Sequence, residues 1–262
     1  MKYYSSFDTT VENFLNSRAL NYGDGVFETM LVNDNIIRLF DLHMMRLQSS
    51  LKVLNLQPLN IKSIFDNAMS LIKDKNCYVL KLVAFRDDSQ RGYSSQSIKA
   101  HYFLTLNPYA KGKISDKLTK SSVMLSSQKK LAGIKHLNRL EQVLASQALN
   151  HTEFSDAIMC NENGRIIETI SKNIVLFKQD KIYSPKLSKS GVFGVALRWL
   201  QVQGHEINWK KIEFKDLPKY HGMMTCNSIQ GFKAIKNIDN KIHFNKDLKI
   251  IKLIQSQWND LC

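Results

Sequence analysis

The sequence predicts a mixed α+β protein of two domains, on three observations. The chain has 262 residues and is 44% apolar, enough to bury more than one core at ordinary domain size. Alternating, β-branched runs recur in both halves, at 21–40, 77–85, 101–108 and through 156–185, as expected of half-buried strands. Helical stretches fall between and after them, at 61–75, 131–148 and 247–262. The expected division is a small N-terminal α/β domain over 1–107, a linker over 108–114 around PYAKGK, and a larger C-terminal domain over 115–262.

Composition narrows the functional classes. No run of eighteen apolar residues exists, so no membrane helix is expected. The start, MKYYSSFDTTVENF, lacks the apolar core of a secretory signal. Cys77, Cys160, Cys226 and Cys262 are widely spaced with no CxxC pair; reduced thiols, no metal site and a cytoplasmic location are expected. The net charge is +14, from 37 Lys and Arg against 23 Asp and Glu. A nucleic-acid binder would account for that charge, but the basic residues are dispersed and no helix-turn-helix or RNA-binding signature stands out. A basic surface equally attracts a small anionic substrate or a phosphorylated cofactor, and that reading is preferred.

Taken in order, NYGDGVFETMLV and NIIRLF read as two strands joined at NDN, a hairpin turn. A basic helix follows with His43 and Arg46 three apart on one face; the planar fork of an arginine suits a phosphate. CYVLKLVAF is a buried strand that runs into the polar loop RDDSQRGYSSQ, and HYFLTLNP is another strand. SSVMLSS (121–127) reads as a short strand before LAGIKHLNRLEQVLASQA (131–148), whose apolar residues at 134, 137, 140, 144 and 148 predict an amphipathic helix. Lys135 would sit where strand and loop enter that helix. DAIMCNENGRIIETISKNIVLFKQDKIYSP reads as a β-meander with turns at NENG and KQDK. Glu168 in its middle is, from the pattern alone, a solvent-facing acid. In SKSGVFGVALRWL, Gly194 opens a helix, and free amides at such a start can bind phosphate. MMTCNSIQGFKAI contains a turn at Asn227 and Ser228, and an amphipathic helix ends the chain.

Four of these segments together resemble one family, over nearly the whole chain. GIKHLNRLEQVLA is similar to the cofactor-lysine segment of bacterial aminodeoxychorismate lyases, members of the fold-type IV enzymes that use pyridoxal 5'-phosphate (PLP). GDGVFET followed by HMMRL resembles the entry pattern of those enzymes, GRIIETISKNIVLF their acid-bearing strand, and TCNSIQGF their last signature segment. The resemblance implies a D-amino acid aminotransferase-like fold with PLP in the cleft between two domains. It implies Lys135 as the lysine that bonds PLP, and Glu168 as the carboxylate on its ring nitrogen, with Asn173 bracing that region. It also implies Arg46, the backbone amides of Val195 and Ala196, and Asn227 as phosphate ligands. Ala196 stands where the family usually has a threonine, so a hydroxyl contact is lost while the amides remain.

The resemblance further gives Thr29 a proton-handling or positioning role; threonine is the lyase residue at this point of the FET triplet. It places Arg91 and Tyr93 on the substrate carboxylate, on a loop that reaches the neighbouring subunit in related aminotransferases, which implies a homodimer. The implied reaction converts 4-amino-4-deoxychorismate to 4-aminobenzoate and pyruvate in folate biosynthesis, by α-proton abstraction and β-elimination. The alternative is a branched-chain or D-amino acid aminotransferase of the same fold, which shares Lys135, Glu168 and Arg46 and commonly the acid at Glu28. KHLNRLEQ, Thr29 and the RGY loop favour the lyase.

Overall fold

The computed structural model describes residues 1–110, 112 and 115–261; Cys262 and part of the expected 108–114 linker lie outside the described residues. The chain divides into two compact units, Met1–Lys111 with Ile134–Asn138, and Gly112–Gly133 with Arg139–Cys262. Lys135 therefore groups with the first unit. Both units mix helices with sheet, as the composition of patterns predicts.

The first unit runs β1 (Lys2–Ser5), α1 (Val11–Leu15), α2 (Arg18–Tyr22), β2 (Gly25–Asn33), β3 (Ile36–Ile37), α3 (Phe40–Val53), α4 (Ile61–Leu71), β4 (Tyr78–Arg86) and β5 (Ala100–Pro108). Its strands form one antiparallel sheet, β1-β5-β4-β2-β3. The β2–β3 turn has Asp34 and Asn35 both at positive φ, the conformation a two-residue hairpin needs to match strand twist. Met30, Val32, Leu80, Leu82, Leu104 and Leu106 are buried with Met44, Leu47 and Leu51 of α3 and Ile64 and Ala68 of α4. Asn60 caps α4 by accepting from the Ser63 amide.

Glu28 lies within that apolar set. Its carboxylate accepts from Arg46 Nε at Oε1 (2.8 Å) and from Arg46 Nη2 at Oε2, and His43 Nδ1 is 2.6 Å from Oε2. Glu28 and His43 are essentially inaccessible and Arg46 is buried. Burial alone would raise the Glu28 pKa, but the Arg46 charge and the hydrogen bonds from Arg46 and His43 outweigh it and hold the carboxyl down at about 2. Burial pushes His43 below its usual value, with Arg46 and Lys135 acting the same way and Glu28 opposing. His43 is accordingly neutral near pH 7 and donates from Nδ1 to Glu28. This trio joins α3 to β2 and fixes how the basic helix lies on the sheet.

The second unit runs β6 (Lys117–Lys120), α5 (Leu140–Gln147), β7 (Ala157–Cys160), β8 (Ile166–Thr169), β9 (Asn173–Lys178), β10 (Lys181–Pro185), α6 (Val195–Val202), β11 (Ile207–Lys210), β12 (Gly222–Asn227), β13 (Gly231–Ala234), β14 (Asn237–Ile238), β15 (Ile242–His243) and α7 (Lys249–Asn259). Two five-stranded sheets result, β11-β10-β9-β12-β13 and β15-β14-β6-β7-β8. Leu118, Ile158, Ile174, Leu176, Met223, Ile235 and Ile238 are among the residues of their shared core. The expected meander turns fall at 161–164 and at 179–180, between β9 and β10.

Two expectations are corrected. Residues 131–148 are not one helix: α5 covers only Leu140–Gln147, and 134–138 are extended. The backbone groups an N-terminal extension of the helix would use are taken by β2. Phe27 N–H donates to Lys135 C=O (2.9 Å), Leu137 N–H donates to Gly25 C=O (3.0 Å), and Val26 faces His136 across an antiparallel bridge. The threefold spacing had combined Ile134, buried against the sheet, with Leu140, 68% exposed on the helix. The strand expected at 121–127 is also displaced, to Lys117–Lys120. Ser121 ends it by donating to Val123 C=O and accepting from Val123 N–H, a local turn that competes with the ladder.

Replacing Glu28 with Gln should destabilise the protein by about 3–5 kcal/mol at pH 7, because it leaves Arg46 buried without its counter-charge. The folded-state pKa values of Glu28 and His43 both lie below their ordinary ones. The unfolded chain therefore takes up protons first on acidification, and stability declines below about pH 6.5. The Glu28 contribution is complete above about pH 4.5 and is lost toward pH 2. Urea denaturation from pH 7 to 3 should show the gap between wild type and Glu28→Gln narrowing at the acid end; a constant gap would contradict this origin.

Candidate active site

In the first unit the candidate residues gather on β2 and the segment beside it. Gly25 opens β2 where a side chain has no room: a Cβ there would lie 2.5 Å from Ala84 C=O and 2.9 Å from Leu137. The glycine of GDG is thus a close-approach position that lets residues 134–138 pair against the strand. With the Lys135 carbonyl held by Phe27 N–H, the Lys135 ammonium lies 4.3 Å from the centre of the Phe27 ring. Thr29 is two residues further along β2, so it projects from the same sheet face as Phe27, whereas Glu28 projects from the opposite face into the core. The structure therefore brings Lys135 and Thr29 to one surface and separates Glu28 from it.

Arg46 has Glu28 as its principal partner. The resemblance assigns Arg46 to the cofactor phosphate and leaves His43 a supporting part; in the structure both residues also contact the buried Glu28 carboxylate. Glu28 is the residue whose role the pattern did not carry, because an acid within a strand reads as an edge or surface residue until α3 is laid over it.

Arg91 and Tyr93 are exposed, Tyr93 at 89%, and their loop is held by its backbone. Arg18, buried in α2, donates from Nη1 to Gly92 C=O (2.9 Å) and from Nη2 to Tyr93 C=O (3.1 Å), and pairs through Nε with Asp24 (2.9 Å). Tyr22 accepts from Gly92 N–H (2.8 Å). Arg86, at the end of β4, is largely buried, pairs with the same Asp24 (2.8 Å), and donates to the carbonyls of Ser97 and Leu54. Nothing in the sequence pattern singled out Arg18.

In the second unit Glu168 is buried on β8 rather than solvent-facing, and its Oε2 accepts from Val192 N–H at 2.8 Å. Asn173 Nδ2 donates to the carbonyl of the same Val192 (2.8 Å). Gly133 N–H donates to Gly191 C=O and Phe193 N–H donates to Gly133 C=O, both at 2.9 Å, which holds Gly133 to the loop that bears on Glu168. Asp156 anchors the turn after Glu168: it accepts from Thr169 Oγ1, Ile170 N–H and Lys172 Nζ at 2.7–3.0 Å. Asp156 was not read from the sequence, where it is one acid before a strand.

Gly194 precedes α6 with no side-chain cap, and a Cβ there would meet Asn173 Oδ1 at 2.0 Å. The first turn of α6, Val195 and Ala196, is buried, and its amides have no acceptors within their own helix. Asn227 is committed to its turn: Oδ1 accepts from Ile229 and Gln230 N–H (3.1 and 2.7 Å), and Nδ2 donates to Ser171 C=O (3.3 Å). No group of three His, Cys, Asp or Glu side chains among the described residues could hold a metal, and no described helix is long and apolar enough to cross a membrane.

These residues fit PLP by their chemistry. A lysine amine can bond an aldehyde, a buried carboxylate can hold a protonated ring nitrogen, and an uncapped helix start behind a glycine can receive a phosphate. The tightness of the Gly194–Asn173 approach is the local mark of such a start.

The curated aminodeoxychorismate lyase of Vibrio harveyi is 30% identical over 244 residues, covering 88% of this chain and 90% of that protein. A putative branched-chain-amino-acid aminotransferase of Methanocaldococcus jannaschii is 23% identical over 99% of this chain and 94% of that one. The crystal structure of 4-amino-4-deoxychorismate lyase from Pseudomonas aeruginosa has the same fold, with a TM-score of 0.85, 24% identity and coverage of 99% and 98% of the two chains. The model of the amino-transferase class IV family matches residues 25–238, from the first glycine of β2 to the end of β14, and the chain belongs to that family.

Proposed function

We propose that the protein is a PLP-dependent lyase that converts 4-amino-4-deoxychorismate to 4-aminobenzoate and pyruvate. The observation that carries the reading is the placement of Lys135 and Thr29 on one face of β2, in a chain whose 30%-identical relative is named for this activity. Lys135 would hold the cofactor, Glu168 its ring nitrogen, and the amides of Val195 and Ala196 its phosphate. Arg46, oriented by its bonds to Glu28, and Asn227 would also contact that phosphate.

When bound, PLP supplies an aldehyde that bonds the substrate amine and a ring that accepts electrons from the adjacent carbon. Lys135 Nζ, displaced by that amine, takes the proton from the amine-bearing carbon. The carbon–oxygen bond on the neighbouring carbon then breaks, the enolpyruvyl group leaves with the electron pair and becomes pyruvate on protonation, and the six-membered ring becomes aromatic. No oxidant, reductant or amino acceptor is needed. Glu168 keeps the cofactor ring protonated, and the Thr29 hydroxyl positions or relays the proton. Arg91 and Tyr93, exposed on a loop held by Arg18 and Tyr22, would bind a substrate carboxylate in the partner's site, so the working form is a homodimer. The pathway served is folate biosynthesis and the setting cytoplasmic.

Pure protein with PLP should release pyruvate and 4-aminobenzoate in equal amounts from enzymatically made aminodeoxychorismate, and Lys135→Ala should reduce the rate by at least about a thousandfold, since base and cofactor attachment are lost together. Faster turnover with an amino acid and a keto acid would favour the branched-chain or D-amino acid aminotransferase reading instead. Gly194→Ala should weaken PLP reconstitution, followed by absorbance, by about tenfold or more, because the added methyl must displace Asn173 from the helix start. Wild-type affinity in that variant would remove α6 from the phosphate site.

A further inference from the structure

The second unit carries a basic recess that the proposed reaction does not use. A cavity of about 410 Å³ is lined by Lys178, Lys210, Lys211 and Lys219, with Tyr183, Tyr220 and one acid, Asp216. Strand register accounts for its charge. Lys178 of β9 stands directly opposite Lys181 of β10, and Lys210 of β11 stands opposite Pro185, four residues along β10 from Lys181. All three lysines therefore project from one face of the sheet, together with Tyr183. Asp216, on the 3-10 helix Phe214–Lys219, pairs with Lys219 at 2.6 Å. Lys178, Lys181, Lys210 and Lys211 enter none of the ion pairs among the described residues. Like charges directly opposite each other across a strand pair are destabilising, and lysine is not a favoured strand residue. Lys210 is steadied by an aromatic floor instead. Its ammonium lies 4.8 Å from the centre of the buried Tyr183 ring, which packs edge-on against Tyr220 with the centres 5.6 Å apart.

We propose that this recess is a binding site for a small diphosphate anion. The three lining lysines outside any ion pair leave a positive surplus that a single carboxylate would not balance. In the sheet β10 lies between β9 and β11, so Lys178 and Lys210 rise from strands roughly 10 Å apart. Two linked phosphate groups bridge that span between long lysine side chains, whereas one phosphate reaches only one side of it. An ammonium on a flexible stem suits phosphate oxygens met from several directions. The cations surround a recess rather than forming a stripe, which fits a small anion better than a nucleic-acid backbone. The site is distinct from the proposed cofactor site. Asn173, which meets the start of α6, begins β9, five residues and roughly 17 Å from Lys178 at its end. The inference stands independently of the lyase reading.

The test is calorimetric titration of PLP-loaded full-length protein, freed of excess PLP, with inorganic pyrophosphate, inorganic phosphate and ADP. Pyrophosphate should bind at least about tenfold more tightly than phosphate. Lys178→Met and Lys210→Met should each weaken pyrophosphate by roughly three- to tenfold, while Lys210→Arg stays within about threefold of wild type. Lys249→Met, on α7, removes the same charge elsewhere and should change binding by less than about twofold. ADP bound through the same lysines assigns an organic diphosphate, and exclusion of ADP assigns the inorganic one; either result supports the site. No pyrophosphate binding, or an equal loss in Lys249→Met, overturns the proposal. Tighter binding of single-stranded DNA through Lys178 and Lys210 overturns the small-anion assignment.

Discussion

The buried Glu28 carboxylate is the constraint on which the first unit depends. It is one negative charge in an apolar layer, and it is tolerable there because Arg46 grips it with two donors and His43 adds a third. Those bonds seat α3 against β2. Once α3 covers one face of the sheet, the other face of β2, with Phe27 and Thr29, is left open to the Lys135 side chain. The alternation of a strand thus separates the buried acid from Phe27 and Thr29, one residue away on either side.

Against that fixed strand the Lys135 segment is laid as an extra, irregular partner. Its conformation is set by bonds to Gly25 and Phe27 rather than by its own helical spacing. This suits the proposed role of Lys135 in holding and releasing a cofactor. The backbone is pinned at two points while the four-carbon side chain keeps its reach. In the second unit Glu168 is treated in the same way. Val192, Asn173 and Asp156 fix the turns around it, so that the carboxylate is held by its surroundings rather than by solvent.

Much of the secondary structure was legible because it follows from local rules. The β2–β3 hairpin, α4, β4, β5, the meander and α7 all have patterns that burial on one face explains. The misreadings share one cause. At 131–148 and 121–127 the backbone satisfies its hydrogen bonds with groups remote in sequence or within one side chain's reach, and apolar spacing carries no information about either. Lys135, Glu168, Gly194 and Thr29 were legible as candidates only through four segments resembling one family; taken singly, each had an ordinary structural reading.

The sequence by itself determined the chemistry available to this protein: a lysine, an acid, a glycine-led helix start and a strand threonine, in the order of the amino-transferase class IV family. Tertiary structure alone decided which side chains share a surface. It paired Arg46 with Glu28, let Asn227 close its turn, tethered the Arg91–Tyr93 loop through Arg18, and set Lys81 and Lys135 over one aromatic ring. Strand register and helix packing make pairings such as Glu28 with Arg46, 18 positions apart, and Phe27 with Lys135, 108 apart, and a linear pattern records neither the register nor the helix that covers it.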